Sequence, residues 1–175
     1  MRRVTRWLGL GLASVVFSSL SLAQQPVKPG PEHEALRKME GTWDAVVKFG
    51  GMESKGTMTY KMELGGLWLT SHFEGGFGDQ KFEGRGLDSY DAAKKKYVGV
   101  WADSMSTSPM VSEGQYDKEG KVLTMTGEGP GMDGKPAKFK MTTEMKGKDT
   151  MVFTMYMADK DGKEQEAMTI TYKRK

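Results

Sequence analysis

Short glycine-rich turns divide residues 41–175 into ten segments in which apolar side chains tend to recur at every second position. This spacing is typical of β-strands with one buried face, and the intervening Gly-Gly and Asp-x-x-Gly segments are typical of hairpin turns. The predicted strands span residues 43–49, 54–64, 67–74, 81–90, 97–103, 110–116, 122–128, 137–145, 150–157 and 164–173. Because consecutive antiparallel strands at regular spacing favour a sheet that closes on itself, we predict a single all-β barrel, with an open sandwich as the alternative.

Residues 1–23 differ from the rest of the chain. Arg2, Arg3 and Arg6 precede an apolar run that ends in Ser21-Leu22-Ala23, a pattern typical of a cleaved secretory signal peptide. The run is about 16 residues long and contains Gly and Ser, whereas a membrane span needs about 20 predominantly apolar residues. Residues 24–31 form a proline-rich spacer, and residues 32–175 form the predicted domain, which opens with a short helix over 32–39. We expect an exported protein, periplasmic or extracellular, with no membrane span once the leader is removed.

The charge balance changes when the leader is removed. The whole chain has 26 Lys and Arg against 23 Asp and Glu, and the leader holds three arginines and no acid. The remaining chain carries 23 residues of each sign, so it lacks the excess positive charge that supports nucleic-acid binding. We therefore predict no nucleic-acid partner, and nothing in the sequence identifies a protein partner. With no cysteine, the domain must be held by its core alone.

Methionine is the outlier of the composition, with 15 residues. Eight fall on rows predicted to face the barrel interior: Met58, Met62, Met141, Met145, Met151, Met155, Met157 and Met168. Methionine fills irregular space well, so these rows form either a deformable core or a pliable pocket for an apolar ligand. Thioether sulfur also binds copper(I), which leaves a metal site around Met155-x-Met157 as a third alternative.

The segment GVWADSMST, residues 99–107, runs from a predicted strand into a turn. The length of the hairpin turn before that strand sets the cross-strand register. Residues directly opposite one another on the two strands project from the same side of the sheet. The predicted pairs are Tyr90–Tyr97, Asp88–Gly99, Gly86–Trp101 and Gly84–Asp103. Trp101 is therefore expected to cover glycines in the barrel wall, and Asp103 to accept hydrogen bonds from the next turn at the rim. Asp88 and Asp103 are about 13 Å apart in a flat ladder, too far for a pair of catalytic carboxylates.

Only two histidines are present, His33 and His72. We expect His33 to be exposed on the short helix and His72 to point outward from its strand. The chain lacks a cluster with the spacing of a zinc site, and it contains no G-x-S-x-G motif. We therefore predict no catalytic residue, no metal and no cofactor.

Gly41-Thr42-Trp43 opens the first predicted strand after a short helix, and this arrangement resembles the calycins, the superfamily of lipocalins and fatty-acid-binding proteins. The resemblance implies that Trp43 closes the base of the barrel and that a basic residue of the last strand, Lys173 or Arg174, lies over it. Some calycins bind haem through a histidine late in the chain; here no histidine follows His72, so the resemblance does not extend to haem.

Three further segments, GGLWL, KFEGRGLDSYDAAKKKYVGVWADSMST and EGQYDKEGKVLTMTGE, are similar to family 1579 of the domains of unknown function, which are often secreted bacterial proteins. This resemblance covers residues 32–175 and implies a calycin-like barrel without an established activity. We predict a barrel that binds a small apolar or amphipathic ligand and is not an enzyme. A structural or protein-interaction barrel with a filled core is the alternative, and a hydrolase or isomerase ranks third. The candidate ligand contacts are Met58, Tyr60, Met62, Trp101, Asp103, Met141 and Met155.

Cleavage of the leader after Ala23 gives an expected mature N-terminus at Gln24. Amino-terminal sequencing of the protein recovered from the exported fraction tests this expectation. An exported protein that still carried residues 1–23 would contradict it.

Overall fold

The computed structural model describes residues 27–77, 80–131, 134–158 and 162–175. The predicted signal peptide lies outside the described residues. Within these ranges, one helix, α1 (Pro31–Arg37), precedes ten strands, and a 3-10 turn, Leu64–Gly66, lies between the second and the third strand. The strands are β1 (Gly41–Phe49), β2 (Met52–Glu63), β3 (Trp68–Phe77), β4 (Gln80–Asp91), β5 (Lys96–Asp103), β6 (Met110–Tyr116), β7 (Val122–Pro130), β8 (Pro136–Met145), β9 (Thr150–Ala158) and β10 (Glu164–Arg174). Within the described part of the chain, no helix is both long enough and apolar enough to cross a membrane.

The strands form a closed antiparallel barrel in which each strand pairs with its neighbours in sequence and β1 pairs with β10. All ten predicted strands are confirmed, and the open-sandwich alternative is wrong. Closure pairs the backbone groups that an edge strand would leave free, which explains why a chain of hairpins ends as a barrel rather than as a sheet. The predicted register of β4 and β5 is also confirmed, with Gly86 opposite Trp101 and Asp88 opposite Gly99.

Helix α1 lies across one end of the barrel and closes it. Its buried residues His33 and Leu36, followed by Met39, recur at every third position and so face the barrel together. Trp43, the first large inward residue of β1, is fully buried beneath them, and its indole Nε1 donates a hydrogen bond of 2.8 Å to the Met39 carbonyl. The helix and the first strand are thereby held as one unit.

Arg174, at the end of β10, covers the other side of the Trp43 ring, with the guanidinium carbon 4.0 Å from the ring centroid. Its guanidinium also donates to the backbone carbonyls of Lys38 and Glu40, which anchors the last strand to the segment after α1. A side chain at Gly41 would place its Cβ 2.7 Å from this guanidinium, so the glycine of Gly-Thr-Trp makes the contact possible. Lys173 points outward instead, and its Nζ donates to the Thr150 hydroxyl over 2.7 Å.

The expectation that His33 is exposed is wrong, because only 7% of its surface is accessible. Its ring Nδ1 accepts a hydrogen bond from the Gly30 amide over 3.0 Å, and its ring edge packs against Tyr90. The sequence does not show which face of the short helix packs on the barrel. In the structure it is the face that carries His33 and Leu36. His72 points outward as expected, with its Nε2 3.0 Å from the Glu83 carboxylate.

We expect Trp43→Ala to lower the free energy of unfolding by about 3–5 kcal/mol, because it empties a fully buried site. Arg174→Ala should cost less, since a cation over an aromatic ring contributes about 0.5–2 kcal/mol. Lys173→Ala is the matched control and should change stability by at most about 0.5 kcal/mol, as is usual at the surface. Urea denaturation of the three variants measures the difference, and equal, small losses from all three would show that the Trp43–Arg174 contact does not secure the barrel end.

Candidate functional site

The interior of the barrel contains a cavity of about 790 Å³. It extends from the end covered by Leu36 and Met39 to a mouth at the opposite end, which is lined by residues of the loop after β5 and by Pro130, Gly131 and Gly134. Cavities that bind small molecules usually measure about 300–1,000 Å³ and are mostly apolar with a few polar groups. The volume of this cavity lies within that range.

One wall of the cavity is built from methionines on successive strands. Met125 of β7, Met141 of β8, Met155 of β9 and Met168 of β10 are direct cross-strand neighbours, so their side chains form a continuous inward row. The eight methionines predicted to face inward all belong to the buried core or pack against it. This wall offers a surface that can adapt its shape to an apolar ligand, because methionine has three rotatable bonds and a polarisable sulfur.

The wall formed by β2 to β6 is more polar. Its inward side chains include Tyr60, Ser71, Asp88 and Ser112, and Tyr172 of β10 adjoins them. Glycines make room for these groups along the wall: a Cβ at Gly86 would lie 2.2 Å from the Ser71 hydroxyl, and a Cβ at Gly99 would lie 2.3 Å from Asp88 Oδ1. The cavity thus has a thioether side and a hydroxyl and carboxyl side, which suits an amphipathic molecule better than a purely apolar one.

Asp88 is the most unusual group in the cavity. Among the described residues none donates a hydrogen bond to its carboxyl or pairs with it as a cation, and its oxygens face the cavity. Burial raises the pKa of Asp88 to about 7, from an ordinary value of 3.8. Burial, reinforced by Tyr172 and Asp88, also raises the pKa of Tyr60 well above its ordinary value, and burial raises that of Tyr172, so both phenols stay neutral while Asp88 titrates.

The predicted register puts Asp88 on the same face as Trp101 and Asp103, which are predicted ligand contacts, but Asp88 itself is not among the predicted contacts. The available signal was an acidic residue on an inward row and directly opposite a glycine. A carboxylate in such a position has space but no neighbouring side chain to hold it, which distinguishes it from an acid at a strand end.

Trp101 and Asp103 act together at the mouth. The Trp101 ring lies against the wall where a Cβ at Gly84 would stand only 2.1 Å from its Cζ2, so the glycine accommodates the indole. The indole Nε1 donates a 3.0 Å hydrogen bond to Asp103 Oδ2, and the Met105 amide donates one of 2.9 Å to Oδ1. Both Asp103 oxygens are therefore in use, and the carboxylate fixes the orientation of Trp101 and starts the following turn.

Six of the seven predicted ligand contacts line the cavity: Met58, Tyr60, Trp101, Asp103, Met141 and Met155. Met62 does not line the cavity. It lies opposite Leu69, near the end of the barrel that α1 covers, and its amide donates a hydrogen bond to the Glu40 carboxylate. Over the described ranges, no group of three or more His, Cys, Asp or Glu side chains is placed to hold a metal ion. Around Met155 the neighbouring thioethers are those of Met141 and Met168 on adjacent strands.

The outer wall carries a second, shallower concavity of about 940 Å³. It includes outward residues of β3 to β6, among them Trp68, Val98, Val100 and Val111, and Val111 is 56% exposed. This concavity lies on the outer side of the sheet, although it shares Gly99, Val100, Ser112 and Phe139 with the lining of the interior cavity.

Residues 28–174 of this chain match the model of the family DUF1579, whose description is 'protein of unknown function'. The chain belongs to the DUF1579 family. A search of curated proteins gave no significant match. The DUF1579 barrel is similar to the crystal structure of Rv2717c from M. tuberculosis, with 15% identity, a TM-score of 0.61, and coverage of 83% of this chain and 98% of that one. At this identity the likeness shows the fold alone.

Two designed barrels show a weaker likeness to the DUF1579 chain. One is a fluorescence-activating β-barrel designed de novo, with 17% identity and a TM-score of 0.46 over 81% of this chain and 97% of that one. The other is the redesigned barrel mFAP1 bound to DFHBI, with 14% identity and a TM-score of 0.45 over 80% of this chain and 98% of that one.

The raised pKa of Asp88 predicts how the stability of this DUF1579 protein depends on pH. Between about pH 4 and pH 7 the folded protein keeps a proton on Asp88 that the unfolded chain releases, so the contribution of this residue to stability falls as pH rises through that window. A shift of this size corresponds to about 4 kcal/mol for a group fully removed from water, and because Asp88 is only half-buried we expect a smaller effect on stability. We expect Asp88→Asn to be more stable than the wild type at about pH 8 by about 1–3 kcal/mol, with little difference at about pH 4. Urea denaturation of both proteins across this range measures the effect, and a difference independent of pH would contradict it.

Proposed function

We propose that this protein is an exported, calycin-like barrel that binds a small apolar or amphipathic molecule in its interior cavity. The observation that carries the proposal is the cavity itself, with a volume of about 790 Å³, a continuous methionine row on one side and a few hydroxyl and carboxyl groups on the other. Burying apolar ligand surface against such a wall contributes roughly 25 cal/mol per Å² before the costs of association.

The proposed path into the cavity is the mouth opposite α1. The loop that follows β5 contributes Met105, Ser106 and Ser108 to the lining, and Met105 is 67% exposed. An apolar side chain exposed beside the opening of an apolar cavity gives a ligand a surface to contact before it enters. The other end is covered by α1 and sealed by Trp43, which supports access from one side only.

We propose binding rather than catalysis. Neither histidine of the chain lines the cavity: His33, on α1, packs against Tyr90, and His72 points outward toward Glu83. The alternative of an interaction barrel with a filled core receives less support, because inward glycines allow Trp101, Ser71 and Asp88 to lie close to the wall and leave the centre open. Export remains part of the proposal and rests on the sequence of residues 1–23.

Binding of the uncharged dye Nile red tests the proposed cavity. We expect micromolar affinity, a blue shift of dye emission and quenching of tryptophan fluorescence. Met141→Leu nearly conserves volume and should change affinity only modestly, whereas Met141→Lys buries a charge and should abolish binding. The Met141→Gln variant has a polar side chain of similar size. It should bind the dye more weakly while staying folded, which circular dichroism checks.

Val111→Lys is the matched control for the outer wall, because Val111 lies on the opposite face of the sheet and is 56% exposed. It should leave dye binding unchanged. If Val111→Lys removes binding and Met141→Gln does not, the dye occupies the outer concavity and the proposed site is wrong. If no dye binds to the folded wild-type protein, the interior is not a ligand site.

A further inference from the structure

A carboxyl group without a partner is the feature of the cavity that remains to be explained. Asp88 extends from β4 toward Gly99 of β5, and its Oδ1 takes the space that a side chain at position 99 would fill, 2.3 Å from the Cβ position. No hydrogen-bond donor or cation of the described chain reaches this carboxyl. The side chain is half-buried and its oxygens are accessible only from the cavity side, so ionising it without a partner is costly to the extent that the cavity excludes bulk water.

Among the residues that the structure describes, none supplies a cation that neutralises Asp88. Along the described inward rows the basic side chain is that of Arg174, and it is held at the sealed end over Trp43 by the carbonyls of Lys38 and Glu40. The other inward acid, Asp103, already accepts hydrogen bonds from Trp101 and Met105. The electrostatic character of the lumen is therefore negative, and Asp88 is the group in it that still needs a donor.

We propose, as an extension of the proposed function, that the ligand is an amphipathic amine whose ammonium group pairs with Asp88 while its apolar tail lies along the methionine row. The geometry fits both halves of such a molecule. Ser112 places its hydroxyl oxygen 3.2 Å from the Cβ position of Gly99, beside the Asp88 carboxyl, and Ser71 and Tyr60 contribute further hydroxyl oxygens to this wall. An ammonium group has three donors and no acceptor, so one carboxylate and two hydroxyl oxygens satisfy it.

The tail side of the cavity is equally specific. Met125, Met141 and Met155 face the polar wall from the other half of the barrel, and they continue to the level of the mouth through Met168 and Phe49. A fatty acid of the same length could use this surface as well, but its carboxylate would meet Asp88, and two like charges at close range repel. A fatty alcohol would bury the same tail without gaining the ion pair. The expected order at alkaline pH is thus amine, then alcohol, then carboxylate.

The preference for an amine should depend on pH because Asp88 changes charge near neutrality. Burial raises its pKa to about 7, and the titratable groups that face it, Tyr60 from β2 and Tyr172 from β10, remain neutral phenols throughout this range. The neighbouring strands β3, β5 and β6 present Leu69, Gly99 and Ser112, which do not titrate. A bound ammonium favours the ionised carboxylate, so by linkage it should lower the pKa of Asp88.

Displacement of Nile red by decylamine, decan-1-ol and decanoate tests the proposal with three probes that share one tail. At about pH 8.5 decylamine should bind about tenfold or more tightly than decan-1-ol, as expected for a hydrogen-bonded charge pair. At about pH 5.5, where Asp88 is protonated and the amine is still charged, that preference should fall. Asp88→Asn should remove the preference at both pH values and leave decan-1-ol binding unchanged. Carbon-13 chemical shifts of the Asp88 carboxyl should show its pKa falling when decylamine binds.

Glu83→Gln is the matched control, since it removes the same charge from the outer face of the same strand, where Glu83 contacts His72 and Arg85. It should keep the amine preference of the wild type. If Nile red and decan-1-ol bind but decylamine has no advantage, or if Asp88→Asn keeps the advantage, the pairing with Asp88 is wrong while cavity binding stands. If none of the probes binds the folded protein, the proposed function itself fails. Tighter binding of decanoate than of decylamine at both pH values would also overturn the proposal.

Discussion

The pairing of β1 with β10 converts a chain of hairpins into a barrel, and the Trp43–Arg174 contact secures that seam at its most buried point. Trp43 opens the first strand and Arg174 ends the last, so the two residues that complete the fold come from opposite ends of the domain. The same arginine donates to the carbonyls of Lys38 and Glu40 and thereby fixes where α1 leaves the barrel. These contacts join the seam at which the sheet closes to the helix that covers this end of the barrel.

The interior stays open because several of its large or polar side chains lie along the wall rather than across it. Trp101 rests over Gly84, Ser71 over Gly86 and Asp88 over Gly99, so in each case the missing side chain of a glycine is replaced by a neighbour from the adjacent strand. The same side chains pointing toward the barrel axis would reduce the volume of the lumen, which is about 790 Å³. The glycines weaken the strands that contain them, because glycine loses more conformational entropy on folding than other residues. They also let neighbouring side chains lie flat against the wall, which leaves space in the cavity.

Most of the fold could be predicted from the sequence because the strands and turns are determined by nearby residues. Apolar side chains at every second position indicate the strands, and turn residues such as glycine indicate where the chain reverses. The turn between Tyr90 and Tyr97 fixed a register that placed Trp101 opposite Gly86, and the structure has that register. His33 and Met62 were harder to place because their surroundings depend on where α1 packs against the barrel end, which is a tertiary contact between distant segments. Asp88 was harder still: the sequence shows that it faces inward, but whether any donor reaches it depends on several strands at once.

Asp88 and Asp103 illustrate why residue type and face are insufficient to identify a binding group. Both are aspartates on the inner face, and both stand opposite a glycine, Asp88 across from Gly99 and Asp103 across from Gly84. At Asp103 the indole of Trp101 and the amide of Met105 occupy both oxygens, so this carboxylate is consumed in holding the wall and the mouth loop. Asp88 lies in the cavity near neutral phenols and hydroxyls, but none of the described residues donates a hydrogen bond to its carboxyl, an arrangement that disfavours the ionised form. Local departures from what stability favours are concentrated at functional sites, and the unsatisfied carboxylate is for that reason the residue around which we place the recognition of the ligand.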